Sequence, residues 1–217
     1  MTTAAPVIRH YRDSDHDAVY DICVRTADAG GDARGQYSTD DLMGDLFTGP
    51  YLYLEPDFAF VLDDGPSDDG PSDDGPSDDR HGAVGYVLGT PDTAAFVRSC
   101  RERWIPRLAG RYPVPPDPPV TPEDLALVLH YQPELMLWPG LAEYPAHLHI
   151  DLLPPFQGQG YGRQMMETFY AAAAGAGATG VHVAVVAANV PAQGFYRRLG
   201  FTHLDDAGDI IYLGRKL

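Results

Sequence analysis

The sequence predicts a mixed α/β fold, one sheet between helices in a three-layer α-β-α arrangement, and three observations carry that prediction. Residues 146–153 alternate as a strand between two layers does: His147, His149 and Asp151 point one way, and Leu148, Ile150 and Leu152 the other. Residues 181–187 form a nearly continuous apolar run, the mark of an interior strand. Between these strands lies Gln157-Gly158-Gln159-Gly160-Tyr161-Gly162, which opens a helical pattern through Arg163, Met166 and Phe169. Pro154 and Pro155 end the first strand, since neither donates a backbone hydrogen bond. The glycines turn the chain tightly and expose its N–H groups, and the positive end of the helix aims into the same turn. Such a nest suits a phosphate or pyrophosphate, with a ligand-free tight connection as the competing explanation. A Walker-type site is excluded, because no Gly-Lys-Ser/Thr follows and Lys216 is the only lysine. The dinucleotide fingerprint fails too, since its first glycine should follow the strand directly.

The remaining elements follow in order. Residues 7–11 predict a short strand with Arg9 on its exposed side. Ser14 and Asp17 predict a capped helix to about Ala27, with Ala18, Val19, Ile22 and Cys23 in its apolar stripe. Gly30, Gly31 and Gly35 break it, either as a plain connection or as part of a substrate mouth. A second helix after Ser38 turns Leu42, Leu46 and Phe47 inward. Residues 58–62 and 83–89 predict a hairpin, and between them the DDGPS repeat of 63–79 predicts a disordered acidic loop. Its aspartate spacing does not match a calcium loop. Residues 91–145 predict a helical, proline-rich insertion: a helix over 93–108 capped by Asp92 or Thr93, an extended proline stretch, and a short helix after Thr121 with Pro122 at its first position. Trp138 and Tyr144 are placed either in the core or in a pocket wall. His182 interrupts the interior strand as a covering residue or a ligand. Asn189 ends that strand, residues 191–199 predict a helix stopped by Gly200, and a hairpin closes the chain.

Composition limits the function. At 217 residues with 44% hydrophobic content, the chain is expected to form a single domain over 1–217. The formal net charge of −16 argues against a general nucleic-acid binder, although eight aspartates of the repeat supply half of it. Cys23 and Cys100 form neither a CxxC pair nor a metal cluster. With no apolar run long enough to span a bilayer, the expectation is a reduced cytoplasmic protein with no membrane partner, and a homodimer is left open.

The glycine turn and the last third together resemble the GNAT superfamily of N-acetyltransferases. Its cofactor loop, Gln/Arg-x-x-Gly-x-Gly/Ala, is met by Gln157, Gly160 and Gly162. Its later pattern, Asn-x-x-Ala-x-x-Phe/Leu-Tyr-x-x-x-Gly-Phe, is met by Asn189, Ala192, Phe195, Tyr196, Gly200 and Phe201. Within the superfamily, YRDSDHDAVYDICVRTADAG, FAFVLDD, GYVLGTPDTAAF and ERWIPRL resemble the acetyltransferase-like domain of eukaryotic O-GlcNAc hydrolases, expected here to stand alone.

The resemblance implies the GNAT acyl-CoA N-acyltransferase fold, whose fourth and fifth strands splay around acetyl-CoA. It implies that the amides of Gly158, Gln159, Gly160, Tyr161, Gly162 and Arg163 hold the pyrophosphate. The backbone of Leu152 and Leu153, with Asn189, would bind the pantetheine arm, and Tyr196 would protonate the departing thiolate. The acceptor would be an unidentified amine or peptide, attacking the acetyl group directly. Asp151 is the leading candidate for the base, with His149 and water as alternatives. A carboxylate of ordinary pKa, about 4, is a poor base unless burial assists it, whereas a histidine suits neutral pH. An inactive CoA-binding module or interaction domain is the competing function.

Overall fold

The computed structural model describes residues 5–65 and 82–217, so most of the DDGPS repeat lies outside the described residues. Strands β1 (Val7–His10), β2 (Ala59–Asp63), β3 (Ala83–Thr90) and β4 (Ala146–Leu152) are successive antiparallel neighbours. β5 (Gly180–Val186) runs parallel to β4, followed across the sheet by β7 (Ile210–Lys216) and the edge strand β6 (Thr202–Ala207). The fold is therefore the mixed, three-layer α/β architecture expected, with the proline-rich insertion ahead of β4.

One face of the sheet carries α1 (His16–Thr26), α2 (Asp41–Phe47), α3 (Gly49–Leu54), α4 (Thr93–Ser99) and α5 (Pro122–Tyr131). Val19, Ile22, Leu42, Tyr51, Phe96 and Leu127 pack there on Val61, Tyr86 and Leu88. The other face carries α6 (Tyr161–Gly175) and α7 (Val190–Arg198). Buried residues of α6 at 165, 166, 169, 170 and 173 follow the helical period and form one apolar stripe against β2, β3 and β4. Phe169 can sit low on the sheet because β3 has Gly89 beneath it. A Cβ there would stand 2.1 Å from the His147 carbonyl and 2.7 Å from the Phe169 ring. Emptying that position by Phe169→Ala should cost roughly 3–5 kcal/mol.

Several local expectations need correction. Arg9 is not simply exposed: it is half-buried and pairs with both Asp15 and Asp63, tying α1's entry to the sheet. Asp15, not Ser14, organises the entry to α1, taking the Arg12 N–H at 2.8 Å after a 3₁₀ turn. The helix expected over 93–108 is α-helical only to Ser99, then passes through a π turn and a 3₁₀ turn that contains Pro106. The π turn places the Trp104 indole N–H 3.0 Å from the Asp45 carbonyl. α5 does start with the Thr121–Asp124 capping box and Pro122 in its first turn. Cys23 and Cys100 are both buried free thiols. No helix of the described residues is long and apolar enough to cross a membrane.

Candidate functional site

β4 and β5 pair only at Ala146–Val181 and His147–His182, and beyond these positions they part. β4 stays fully paired with β3 and β5 with β7, so the divergence opens a gap inside a continuous sheet. A cleft of about 760 Å³ fills the gap. Its walls include Leu148, His149, Ile150, Asp151 and Leu152 of β4 and Val183, Ala184, Val185 and Val186 of β5.

At one end the cleft reaches the glycine turn. Gly158 (φ 72°) and Gly160 (φ 91°) adopt left-handed backbone, with open space where a Cβ would stand. Gly160 caps α6, whose first turn leaves its N–H groups unused. No described residue accepts a hydrogen bond from the backbone N–H groups of residues 158–163. Gln157, Gly158, Gly160, Gly162 and Arg163 line the cleft, as does Arg198 across the gap. Gln159 turns away, its amide donating to the Pro155 carbonyl at 2.6 Å, and Tyr161 does not line the cleft either.

The strand edge facing the gap follows from pleating. Adjacent residues direct their backbone groups to opposite edges. Leu153 gives its N–H to Val84 at 3.0 Å, towards β3, so Leu152 and Ile150 face the gap. Leu153 is thus turned away from a ligand there, unlike Leu152, whose carbonyl accepts the Gln157 side-chain amide at 2.8 Å. Across the cleft Asn189 caps α7, its Oδ1 accepting the Ala192 N–H at 3.1 Å. Its Nδ2 has no described partner.

At the other end, the outward row of β4 meets the α1–α3 layer. Asp151 is partly buried and lies opposite Tyr86, whose hydroxyl donates to Oδ2 at 2.6 Å. Burial lifts the Asp151 carboxyl to a pKa of about 6, against the pull of hydroxyls from Tyr86 and Thr26. The buried Cys23 thiol, beside the Tyr86 hydroxyl, is pushed up to about 12 by burial and by the Asp151 charge. His149 lines the cleft, and burial lowers its ring to about 4. The expected order of basicity is therefore reversed: the carboxyl, not the imidazole, titrates nearest neutrality. Tyr196 from α7 also lines the cleft, and its hydroxyl has no described hydrogen-bond partner. Burial first, then the Asp151 charge, raise its pKa, so the phenol stays protonated.

His147 and His182 lie deeper, at the last paired register, and both are lowered chiefly by burial. His147 contacts the Tyr51 hydroxyl at 2.6 Å and the Thr93 hydroxyl at 2.7 Å. The same Tyr51 hydroxyl stands 3.2 Å from His149 Nε2. Trp138 stacks on Tyr212 and meets His182 edge-on, and the Tyr144 carbonyl accepts from His182 Nδ1 at 2.8 Å. Neither Trp138 nor Tyr144 reaches the cleft. Of the glycine-rich link, only Gly30 lines the cleft among the described residues, beside the preceding Ala29, and Gly31 and Gly35 do not. Ala29 and Gly30 are the corner of a tight turn closed by reciprocal Asp28–Gly31 bonds, with Ala29 held at φ 51°. Tyr51 and Tyr86 were not among the expected site residues. The signal for Tyr86 was its polar group inside an otherwise apolar strand.

A further cleft of about 560 Å³ lies on the α1–α2 side, over Asp45, Tyr20, Trp104 and Arg111. Its buried carboxylate accepts from Tyr20 at 2.9 Å and Tyr112 at 2.6 Å, with Arg111 Nε at 3.2 Å. Both oxygens are satisfied within the protein, so nothing there calls for a ligand. Among the described residues no group of three or more His, Cys, Asp or Glu is placed to hold a metal ion.

A sheet that parts two neighbouring parallel strands above a glycine-capped helix defines a class of acyl-CoA-binding fold. Residues 135–203 match the acetyltransferase (GNAT) domain model. The crystal structure of SsHAT is similar over 98% of each chain, with 49% identity and a TM-score of 0.87. The fold also matches yncA of Salmonella typhimurium, determined with its cofactor acetyl-CoA, at 13% identity and a TM-score of 0.53, over 99% of this chain and 95% of that one. Protein O-GlcNAcase of rat and of mouse is 28% identical over 222 residues, covering all of this chain. The chain spans only 22% of the length of those curated relatives. The chain belongs to the GNAT acetyltransferase superfamily.

Proposed function

We propose that the protein transfers an acetyl group from acetyl-CoA to an amine by direct attack. The observation that carries this reading is the polarity of the cleft. Unused N–H groups and two arginines stand at one end, and a carboxylate that titrates near neutrality stands at the other. The glycine turn fits a diphosphate, because two positive-φ glycines leave the space and the N–H groups of 158–163 supply donors. The Leu152 edge and Asn189 Nδ2 fit the amide-bearing arm. Bound there, acetyl-CoA supplies an acetyl group already activated as a thioester, so no covalent nucleophile is required.

The chain's own residues supply orientation and proton handling. Asp151, deprotonated above about pH 6, takes the proton from the acceptor nitrogen. Tyr196, protonated throughout the physiological range, donates to the departing sulfur. The histidines of the β4 row stay neutral, so they do not repel a cationic amine, and Asp151 attracts one. The whole chain forms the functional unit in this reading.

Free-thiol release with acetyl-CoA, screened over peptides, polyamines, aminoglycosides and amino sugars, tests the proposal. Release with one class, abolished by Tyr196→Phe with acetyl-CoA affinity retained, is the expected result. Calorimetric acetyl-CoA binding with silence across every class would leave a CoA-binding module instead.

A further inference from the structure

The buried hydrogen-bond chain beneath the cleft has a fixed direction, and that direction assigns the hydrogens of its histidines. It starts at the Thr93 hydroxyl, 2.7 Å from the Pro145 carbonyl oxygen. Two oxygens at that distance require a hydrogen between them, and a carbonyl has none to give, so Thr93 donates to Pro145. Thr93 has no second hydrogen. Its oxygen, 2.7 Å from His147 Nδ1, therefore accepts, and His147 carries its hydrogen on Nδ1. A neutral imidazole holds one N–H, and burial keeps this ring neutral. His147 Nε2 is then an acceptor, and the Tyr51 hydroxyl 2.6 Å away must donate to it. Tyr51 has now used its hydrogen as well, so at 3.2 Å it accepts from His149 Nε2. His149, neutral at pH 7, is left with a bare lone pair on Nδ1. Nδ1 has no described partner, and His149 lines the cleft beside Asp151.

We infer that the Thr93–His147–Tyr51 chain locks His149 in its Nε2–H form, so that Nδ1 stands as a hydrogen-bond acceptor for an N–H of the incoming amine. The lock rests on the hydrogen-bond geometry and on the neutrality of two buried rings, whereas the amine contact rests on the proposed amine acceptor. Tyr51 and Thr93 are positioning residues in this arrangement, and His149 is the group that would touch the amine. The division of labour also gives a role to a ring too weakly basic to take the proton. His149 Nδ1 orients one N–H while Asp151 receives the proton that leaves. Tyr51 is well placed for its part: it is buried and stacked on Phe96 at 4.3 Å, which fixes its hydroxyl between the two imidazoles.

The test uses the full chain labelled with ¹⁵N-histidine at pH 7 without acetyl-CoA, so that it stands or falls separately from acetyl transfer. Long-range ¹H–¹⁵N correlations show which ring nitrogen carries hydrogen. The expected pattern is Nδ1–H at His147 and Nε2–H at His149. Tyr51→Phe keeps the ring stacking and should turn His149 into a tautomer mixture while His147 stays Nδ1–H. Thr93→Val should loosen both rings, and Thr93→Ser should restore the wild-type pattern. Ethylammonium chloride should then shift His149 Nδ1, and tetramethylammonium chloride, with the same charge but no N–H, should not. An Nδ1–H form at His149 in the wild type would overturn the lock. Equal responses to the two cations, or none to either, would overturn the amine contact. If turnover is found, Tyr51→Phe should raise the KM for the amine about fivefold with little change in kcat, the worth of one neutral hydrogen bond.

Discussion

Asp45 and Asp151 are both held by tyrosine hydroxyls under the same helical layer, yet they are finished differently. Asp45 receives two tyrosine hydroxyls, and Arg111 closes the remaining side. Asp151 receives the Tyr86 hydroxyl at short range and the pull of the Thr26 hydroxyl, but no described cation closes its remaining side, which faces a cleft. A carboxylate whose partners all come from the chain is a fastener. One left short of partners while losing solvent holds its proton more tightly and can exchange it. The difference lies in the count of donors rather than in residue type, and it separates the two clefts better than their size does.

The largest expected effect tests the chemical half of that contrast. Asp151→Asn should lower turnover by about 10²–10⁴-fold, the usual worth of a positioned base, with no loss of melting temperature. A variant retaining turnover within a fewfold in the thiol assay would move the base elsewhere. Asp45→Ala should do the reverse. It orphans two buried hydroxyls and a guanidinium face, and should cost about 3 kcal/mol in urea unfolding while the folded fraction binds acetyl-CoA as before. Tyr86→Phe sharpens the comparison by removing the short-range donor from Asp151. Because that hydrogen bond favours the ionised form, the acid limb of the rate profile should move upward from about pH 6, by about one unit. A limb that stays in place would show that Asp151 does not govern it.

A further test is stability against pH. His147, His149 and His182 have folded pKa values below the unfolded value of 6.5, so the unfolded chain binds more protons as pH falls from about 6.5 towards 4. Stability should fall over that window. Asp151 acts oppositely: its raised pKa makes folding more favourable as pH drops from about 6 to 3.8. The urea midpoint should therefore decline on acidification, and more steeply in Asp151→Asn. A flat profile would mean that the three rings are not held neutral.

Much of this was legible because it is local. The alternation that put His147, His149 and Asp151 on one face needs only the pleat of a single strand. The glycine turn needs only positive φ and a helix start. Tyr51 was missed because α3 is six residues long and opens with Gly49 and Pro50, which read as a break, and no helical stripe is long enough to override them. Tyr86 was visible in its strand, but its partner was not, since the pairing of Tyr86 with Asp151 spans 65 residues. The reversal of the Asp151 and His149 basicities depends on how deeply each is covered, which no spacing rule records. Leu153 was named together with Leu152, but the edge a backbone group faces flips with each residue, so two successive residues do not both face the gap, and Leu153 gives its N–H to Val84.

The Gln157 amide sits on the Leu152 carbonyl, the very strand edge that an extended ligand arm would use. An arm pairing with that carbonyl would compete with the Gln157 amide for it. One amide hydrogen bond would be exchanged for another of similar strength, so pairing along β4 would add register but little net heat. Affinity would then reside mainly at the glycine turn. Pantetheine derivatives lacking the diphosphate should be poor ligands out of proportion to their shortened length, and the released Gln157 side chain would be free to follow the ligand into the turn.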